Sequence, residues 1–249
     1  MKQTNDKLVE PKGREFQESK TLGSLYCVAT PIGNLEDITL RAIRILKEVD
    51  IVLAEDTRMT EKLFAFLNSK LKTHNLKLIS YHQHSNEARK LEILNYLLEG
   101  KNLALVTDAG TPGISDPGNE LIDFLLFNNP EIRIVPIPGV SAITTALSVS
   151  GFNVNKFLFL GFLPKKKRNK LFNWLKEGKV SFAFYESPNR ILKSLALIQE
   201  NFGSKVRVFV ARELTKLHET LYRGSIEKVK NMLAKERVRG EIVVIVELY

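Results

Sequence analysis

Three loops carry more glycine and proline than a simple connection between two elements requires. They cover residues 30–34 (TPIGN), 108–118 (DAGTPGISDPG) and 137–142 (IPGVSA). Glycine permits positive φ and a close approach of the backbone to a ligand, whereas proline fixes φ and stiffens the loop. A tight turn would explain any one of them. Three such loops in one half of the chain predict that they surround a bound molecule.

The usual nucleotide-binding fingerprints are missing from the chain. It contains no GxxxxGK[ST] segment, which excludes a P-loop NTPase, and no G-x-G-x-x-G opens a helix after the first predicted strand. An ordinary dinucleotide site is therefore disfavoured. The ligand must be held by another arrangement.

Several acidic residues and two histidines follow predicted strands. Carboxylates around magnesium would suit a phosphohydrolase, but neither a DxD motif nor a histidine-rich cluster is present. His82 and His84 would point the same way from an extended strand, yet the sequence identifies no third ligand. We predict no metal site. The carboxylates are Glu55, Asp56, Asp108, Asp116 and Glu186.

Short apolar runs alternate with amphipathic helical segments, which is typical of parallel-rich α/β layers. The first half predicts strands at 25–29, 51–54, 76–81, 103–107 and 132–135. Its helices are predicted from residue 37, with Leu40, Ile43 and Leu46 on one face, and at 61–67, 86–98 and 120–127. Ser141 is predicted to cap a helix over 142–149 that ends near Gly151.

A second α/β set follows, because Pro136, Pro138 and Gly139 interrupt the first. Its predicted strands are 157–160, 180–185, 206–211 and 242–247, and its helices are 166–176, 190–201 and 226–235. We predict an α/β fold of two αβα domains, 24–136 and 137–249, with a ligand cleft between them. Residues 1–23 are mostly polar and charged and are expected to form a flexible tail.

Composition narrows the class of protein. Lysine and arginine total 37 against 28 acidic residues, for a net charge of +9, which suits phosphate binding but is equally compatible with a solvated basic surface. A single cysteine, Cys27, excludes an internal disulfide and fits the cytoplasm. It lies in an apolar run, so we expect a buried, inert thiol. No apolar run reaches the roughly 20 residues that a membrane span needs.

The order of several motifs resembles one known family. The first half carries LYCVATPIGNL at 25–35, AEDTR at 54–58, TDAGTP at 107–112 and DPG at 116–118. The second half carries GFLP at 161–164, FYESP at 184–188 followed by Arg190, ARELTK at 211–216 and RGE at 239–241. From about residue 24 to the end, this series resembles the small-subunit ribosomal RNA cytidine-2′-O-methyltransferase family of the tetrapyrrole methylase superfamily. One segment departs from the family pattern, because residues 82–87 (HQHSNE) are one residue longer than its H-x-H-N-E.

The resemblance implies two αβα domains with S-adenosylmethionine in the cleft between them, and a homodimer. The implied partner is 16S rRNA within the small ribosomal subunit. The residues expected to bind the cofactor are Thr30, Pro31, Gly33, Asn34, Asp108, Ala109, Gly110, Ser115, Ser141, Ala142, Tyr185, Glu186 and Gly240.

Methylation of a ribose hydroxyl benefits from a nearby base. The candidates are Glu87, His84 and Asp56, each of which could instead serve as a helix cap or an ion-pair partner. Clustered cations suit RNA phosphates. The RNA-binding candidates are Lys165, Lys166, Lys167, Arg168 and Arg58.

Two other functions stay open from the residues alone. A tetrapyrrole carbon-methyltransferase would share the fold and would also suit a basic protein, since its substrates carry carboxylates. A non-catalytic ribosome-assembly factor could bind RNA on the same scaffold, although RNA binding alone does not require the three Gly/Pro loops.

Overall fold

The computed structural model describes residues 21–70, 77–153, 155–164 and 168–248. The first half alternates strands and helices. Its strands are β1 (Ser24–Val28), β2 (Ile51–Ala54), β3 (Lys77–Ser80), β4 (Leu103–Val106) and β5 (Arg133–Ile137). Its helices are α1 (Leu40–Glu48), α2 (Thr57–Lys70), α3 (Glu87–Leu98), α4 (Asn119–Asn128) and α5 (Ala142–Ser150).

The five strands of the first half form one parallel sheet in the order β3-β2-β4-β1-β5. Every residue of β2 and β4 is buried, as expected for inner strands covered on both faces. Pro136 lies in β5, an edge strand, where its missing N–H costs no ladder hydrogen bond. Because the strands are parallel, the loops that follow them meet at one edge of the sheet.

The second half builds another five-stranded sheet, in the order β6-β7-β10-β8-β9. Its strands are β6 (Phe157–Phe162), β7 (Ser181–Glu186), β8 (Arg207–Arg212), β9 (Thr220–Ser225) and β10 (Ile242–Glu247). Its helices are α6 (Arg168–Glu177), α7 (Ile191–Phe202) and α8 (Ile226–Leu233).

The second sheet is less parallel than the predicted parallel-rich α/β layers. Only β6 and β7 pair in parallel, and the other three pairings are antiparallel. The last strand, β10, is apolar and fully buried, and it inserts between β7 and β8. The sequence analysis missed β9, an edge strand in which only Tyr222 is buried, so it lacks the apolar run that marks an inner strand.

The two sheets share a hydrophobic core. Ile32, Ile143 and Ala146 from the first half pack in one cluster with buried residues of β7, β8 and β10 from the second. Helix α5 also contacts β10 directly. This shared core fixes the loops of the first sheet against the second sheet.

Two local predictions were also wrong. Thr39 caps α1 through a hydrogen bond to the N–H of Ala42, and Leu40 is then 86% exposed. The buried face of α1 holds Ala42, Ile45 and Leu46, and Ile43 packs partly buried beside them.

Ser141 occupies the cap position of α5 but makes no side-chain cap bond; its carbonyl oxygen accepts hydrogen bonds from the hydroxyls of Thr144 and Thr145. Gly151 ends α5 in the left-handed conformation, as predicted. Over the described part of the chain, no helix combines the length and apolar character that crossing a membrane would require.

Candidate functional site

A cavity of about 410 Å³ lies between the carboxyl ends of the first sheet and facing segments of the second. Loops after β2, β4 and β5 form one wall, and the ends of β6 and β7, the segment after β8 and the start of β10 form the other. Clefts of this size at the carboxyl ends of parallel strands are the usual ligand sites of α/β folds.

Most of the residues predicted to bind the cofactor line this cavity. Thr30, Pro31, Gly33 and Asn34 are not among its lining residues, and Ile32 is the residue of their loop that is. The predicted residues in the lining are Asp108, Ala109, Gly110, Ser115, Ser141, Ala142, Tyr185, Glu186 and Gly240.

The loop over residues 30–34 supports the cavity walls from behind. Thr30 is buried, exchanges backbone hydrogen bonds with Gly110 and donates its hydroxyl to the carbonyl of Thr107. The backbone N–H of Asn34 donates to the Thr215 hydroxyl in the second half. A Cβ on Gly33 would lie 2.4 Å from the Lys216 side chain. The glycine lets this loop press against residues 214–216.

The loop after β4 has an unusual backbone. Gly110, Gly113 and Gly118 have φ values of 85°, 81° and 145°. Ser115 adopts a φ of 64°, which is uncommon for a residue with a side chain. Such strained conformations persist where the surrounding fold enforces them, and they cluster at functional sites. A Cβ on Gly113 would meet the Asn119 amide at 2.5 Å. Glycine at these positions therefore lets the loop fold tightly along the cavity.

The cavity is acidic. Glu55, Asp108, Asp116, Glu186 and Glu241 line it, and no lysine, arginine or histidine of the described residues does. Burial, followed by the charge of Asp108, raises the pKa of Glu55. Burial also raises the pKa of Asp108, although this carboxylate accepts the backbone N–H of Asp56 at 3.0 Å.

Asp116 has the most strongly raised pKa of the carboxyl groups in the cavity. Burial, and then the charges of Glu55, Asp108 and Glu241, raise its pKa from 3.8 to about 7. Its carboxylate has no hydrogen-bond or ion-pair partner within the described ranges. Such a site stabilises a positively charged ligand, because a cation would offset the repulsion among the carboxylates.

Tyr185 and Glu186 end β7 with different roles. Burial and the charge of Asp116 raise the pKa of Tyr185, whose ring packs edge-on against Phe159 and Phe162. The Glu186 carboxylate is buried and accepts hydrogen bonds from the Ser194 hydroxyl at 2.5 Å and from the Ser187 N–H at 2.9 Å.

An ion pair also ties Glu186 to Arg190, with 3.3 Å between the carboxylate Oε1 and the guanidinium Nε. Both carboxylate oxygens are therefore engaged in the turn after β7. Glu186 lines the cavity, but its charged group fixes the turn that presents Tyr185.

The turn before β10 closes the cavity from the second half. Gly240 has a φ of 85°, and a Cβ there would lie 2.2 Å from the Glu213 carboxyl group. Lys216 Nζ bridges the carboxylates of Glu213 at 2.8 Å and Glu241 at 3.0 Å. These contacts tie the turn to the segment that also touches Gly33.

None of the three predicted bases lines the cavity. The Asp56 carboxylate is paired with Arg58 at 2.6 Å, and these hydrogen bonds lower the pKa of Asp56 to about 2. A carboxylate held this firmly in its charged form is a weak proton acceptor. His84 lies exposed in the turn after β3, and Glu87 is exposed in the first turn of α3, where negative charge suits the helix dipole.

Of the RNA-binding candidates, Lys165, Lys166 and Lys167 lie outside the described residues. Arg168 is the first residue of α6. Arg58 is 83% exposed at its side chain and pairs with Asp56.

The two histidines after β3 do not lie in an extended strand. They occupy a turn in which the backbone N–H of His84 donates to Nδ1 of His82 at 3.2 Å. Within the described ranges, no three His, Cys, Asp or Glu residues are grouped as a metal site requires.

Sequence reasoning did not include several lining residues in the cofactor site. Glu55 and Asp116 were noted as carboxylates at strand ends, a signal that could have placed them here. Phe162, Leu214 and Glu241 lie in the motifs GFLP, ARELTK and RGE, which could have placed them here. Val243 carried no such signal, because it lies within a strand of the second sheet, whose strand order the sequence does not reveal.

The chain matches the family model of the Tetrapyrrole (Corrin/Porphyrin) Methylases over residues 24–230. It belongs to this family of methyltransferases.

Curated relatives make the likeness more specific. The chain is 45% identical over 227 residues to "Ribosomal RNA small subunit methyltransferase I" of Thermotoga maritima, covering 90% of this chain and 98% of that protein. It is 42% identical over 236 residues to the protein of the same name from Halalkalibacterium halodurans, covering 94% of this chain and 79% of the relative.

Solved structures show the same fold at low sequence identity. A cobalt precorrin-4 methyltransferase aligns with a TM-score of 0.67 at 18% identity, over 90% of this chain and 94% of its own. Uroporphyrin-III C-methyltransferase from Thermus thermophilus, complexed with S-adenosyl homocysteine, aligns with a TM-score of 0.62 at 19% identity, over 90% of this chain and 97% of its own. The expected α/β fold of the tetrapyrrole methylases, with two αβα domains, is confirmed.

Proposed function

We propose that this chain transfers a methyl group from S-adenosylmethionine to the ribose 2′-oxygen of a cytidine in 16S ribosomal RNA. The observation that carries the proposal is the acidic cavity, which has no basic side chain among the described residues of its lining. S-adenosylmethionine bears a sulfonium and an ammonium group, and both would offset the repulsion among these carboxylates. The name of the close relatives supports ribosomal RNA as the substrate. The S-adenosyl homocysteine in the Thermus neighbour supports S-adenosylmethionine as the cofactor.

The lining fits each part of this cofactor. The carboxylates of Glu55, Asp108 and Asp116 would face its positive charges. The apolar side chains of Leu214 and Val243 offer a surface for an adenine ring. Backbone N–H groups in the first turn of α5 suit the methionine carboxylate, apart from that of Ile143, which donates to the Tyr185 hydroxyl.

The cofactor supplies an electrophilic methyl group, and the protein's task is alignment. In-line displacement requires the acceptor oxygen to lie opposite the leaving sulfur, and such alignment can lower a barrier by roughly 7–11 kcal/mol. The stiff loop after β4 and the shared core beneath it hold the cavity walls in fixed positions. No metal is needed to neutralise charge, because the positive charge on sulfur disappears during transfer.

The substrate is proposed to be 16S rRNA within the small ribosomal subunit, in the cytoplasm. The net charge of +9 favours association with a polyanion. Lys165, Lys166, Lys167, Arg168 and Arg58 remain the proposed phosphate contacts.

The tetrapyrrole alternative is not favoured. The close relatives are named for ribosomal RNA and not for a tetrapyrrole. The assembly-factor alternative does not explain why the fold builds an acidic cavity behind three stiff loops.

A homodimer is also proposed. Leu40 and Leu217 are 86% and 93% exposed, although both are large and apolar. The segments that carry them are joined by the hydrogen bond between Asn34 and Thr215. Analytical ultracentrifugation of the wild-type chain and of Leu217→Ser would test this. We expect the wild type to sediment as a dimer and the variant to shift toward the monomer.

The direct test is an incubation with radiolabelled S-adenosylmethionine and one of three acceptors: small ribosomal subunits, naked 16S rRNA or uroporphyrinogen. We expect label in the RNA of the subunits, at one alkali-resistant ribose. Label in uroporphyrinogen alone would overturn the substrate. If calorimetry detects no binding of S-adenosylmethionine, the result would favour the assembly-factor alternative.

A further inference from the structure

A second cavity of about 280 Å³ adjoins the first. The two share Ser115 and Asp116, so one turn of the loop after β4 forms the partition between them. The other lining residues of this second cavity are Tyr81, Gln83, Gly113, Pro117, Gly118, Asn119 and Glu120.

The walls of the second cavity are polar but not basic. Tyr81 is 3% exposed and forms a buried side of it. The Gln83 amide is exposed in the turn after β3, with the His84 ring 3.3 Å away. Glu120 in the first turn of α4 is 79% exposed at its side chain and lies 3.2 Å from Lys90.

This chemistry distinguishes a nucleobase from a phosphate. The lining holds two carboxylates, Asp116 and Glu120, and no lysine, arginine or histidine among the described residues, so it offers no cation to bind a phosphate. A carboxylate beside an amide can instead accept from the exocyclic amino group of a base and donate to its ring nitrogen or carbonyl. Enzymes that modify one nucleotide commonly turn it out of the stack into such a pocket.

We propose that the second cavity binds the target nucleoside of the RNA, with Gln83 and Glu120 contacting an amino-bearing base and Asp116 accepting the proton of the ribose 2′-hydroxyl. This inference rests on the proposed function and adds the substrate side of the same site. Asp116 is the carboxylate common to both cavities. It therefore lies where a ribose oxygen from one side would meet a methyl donor from the other.

The 2′-oxygen forms a bond to the methyl carbon while the carbon–sulfur bond breaks, and that electron pair stays on sulfur. The hydroxyl proton passes to the Asp116 carboxylate, so the lost sulfonium charge is matched by one lost carboxylate charge. Burial and the neighbouring carboxylates raise the pKa of Asp116 to about 7 in the unliganded chain. The positive charges of the bound cofactor would lower this pKa, so the carboxylate would be ionised and able to accept the proton near neutral pH.

The base contacts are tested with Gln83→Ala, measured on small ribosomal subunits with calorimetry for the cofactor. Loss of one hydrogen bond to the base should raise KM for the subunit by about 3- to 10-fold, with the affinity for S-adenosylmethionine unchanged. The matched control is Asn128→Ala, which removes an exposed amide at the far end of α4, where it donates to the carbonyl of Phe124. Equal KM values for both variants and the wild type would overturn the assignment of the cavity.

The proton transfer is tested with Asp116→Asn, followed by single-turnover methylation from pH 5.5 to 9 at saturating cofactor and subunit. The wild-type rate should rise with pH and level off, whereas the variant should be slower by about 10²- to 10⁴-fold and nearly independent of pH. An unchanged pH profile in the variant would overturn the role of Asp116. Folding of the variant is checked by its circular dichroism.

The two proposals fail in different ways. A wild-type chain that leaves ribosomal RNA unmethylated contradicts the proposed function itself. A wild-type chain that methylates a ribose, with Gln83→Ala and Asp116→Asn behaving like the control, contradicts only the second cavity as the nucleoside site.

Discussion

Replacing Asp116 by asparagine should stabilise the unliganded protein at alkaline pH. Neighbouring carboxylates repel the Asp116 charge and burial removes its hydration, so its pKa is about 7 rather than the ordinary 3.8. This difference corresponds to about 4 kcal/mol for ionising the group in the folded chain. Because the site is partly open to water, screening reduces the expected effect to about 2 kcal/mol.

The sign of the pH dependence follows from linkage. The folded chain binds the proton of Asp116 more tightly than the unfolded chain does, so this group lowers wild-type stability as pH rises from about 4 to about 7. Asparagine carries no charge at any pH. The stability difference between variant and wild type should therefore be near zero at pH 4 and reach its plateau above pH 7.

Thermal denaturation without cofactor at pH 4, 6 and 8 measures this difference. A gain of about 2 kcal/mol should raise Tm of the variant by roughly 4–8 °C at pH 8. Asp123→Asn on α4, outside both cavities, is the matched control. Equal Tm values at pH 8, or a gain that grows toward low pH, would refute the electrostatic reasoning.

Three further outcomes follow from the structure. Gly240→Ala should weaken calorimetric binding of S-adenosylmethionine, because alanine is strained at the φ of 85° and its Cβ, 2.2 Å from the Glu213 carboxyl group, would displace the hydrogen bond that this carboxylate accepts from Glu241; wild-type affinity would contradict this. Glu186→Ala should lower the free energy of unfolding, measured by urea denaturation, by about 3–5 kcal/mol, because it removes the buried carboxylate and leaves the Arg190 guanidinium without its ion-pair partner; a loss below about 1 kcal/mol would show that the ion pair does not stabilise the fold. Burial raises the pKa of Cys27 to about 11, so iodoacetamide at pH 8 should label the urea-unfolded chain and leave the native chain almost unlabelled, whereas rapid native labelling would show an accessible thiolate.

The sequence predicted the first sheet well for a physical reason. Its inner strands are continuous apolar runs, such as Ile51–Ala54 and Leu103–Val106, because both faces are covered. Parallel strands connected by helices also bring their following loops together, so Asp108 and Ser141 could be expected at one site. The antiparallel insertion of Ile242–Glu247 between two earlier strands could not be read from local patterns, since pairing partners depend on the whole chain.

The catalytic candidates show where local chemistry misleads. Asp56 follows a strand directly, yet its pairing with Arg58, two residues later, holds it as a stable ion. Asp116 lies in the middle of a Gly/Pro loop, and only the folded loop places it between two cavities. Burial and unpaired charge decide the difference between these two carboxylates, and neither property is visible in the sequence.

The location of the methyl donor is the central question, and a crystal structure of the chain with S-adenosylmethionine answers it. We expect the donor in the acidic cavity, with its sulfonium facing Asp116 and its adenine against Leu214 and Val243. A donor bound outside this cavity, or one whose positive charges point away from the carboxylates, would contradict this expectation.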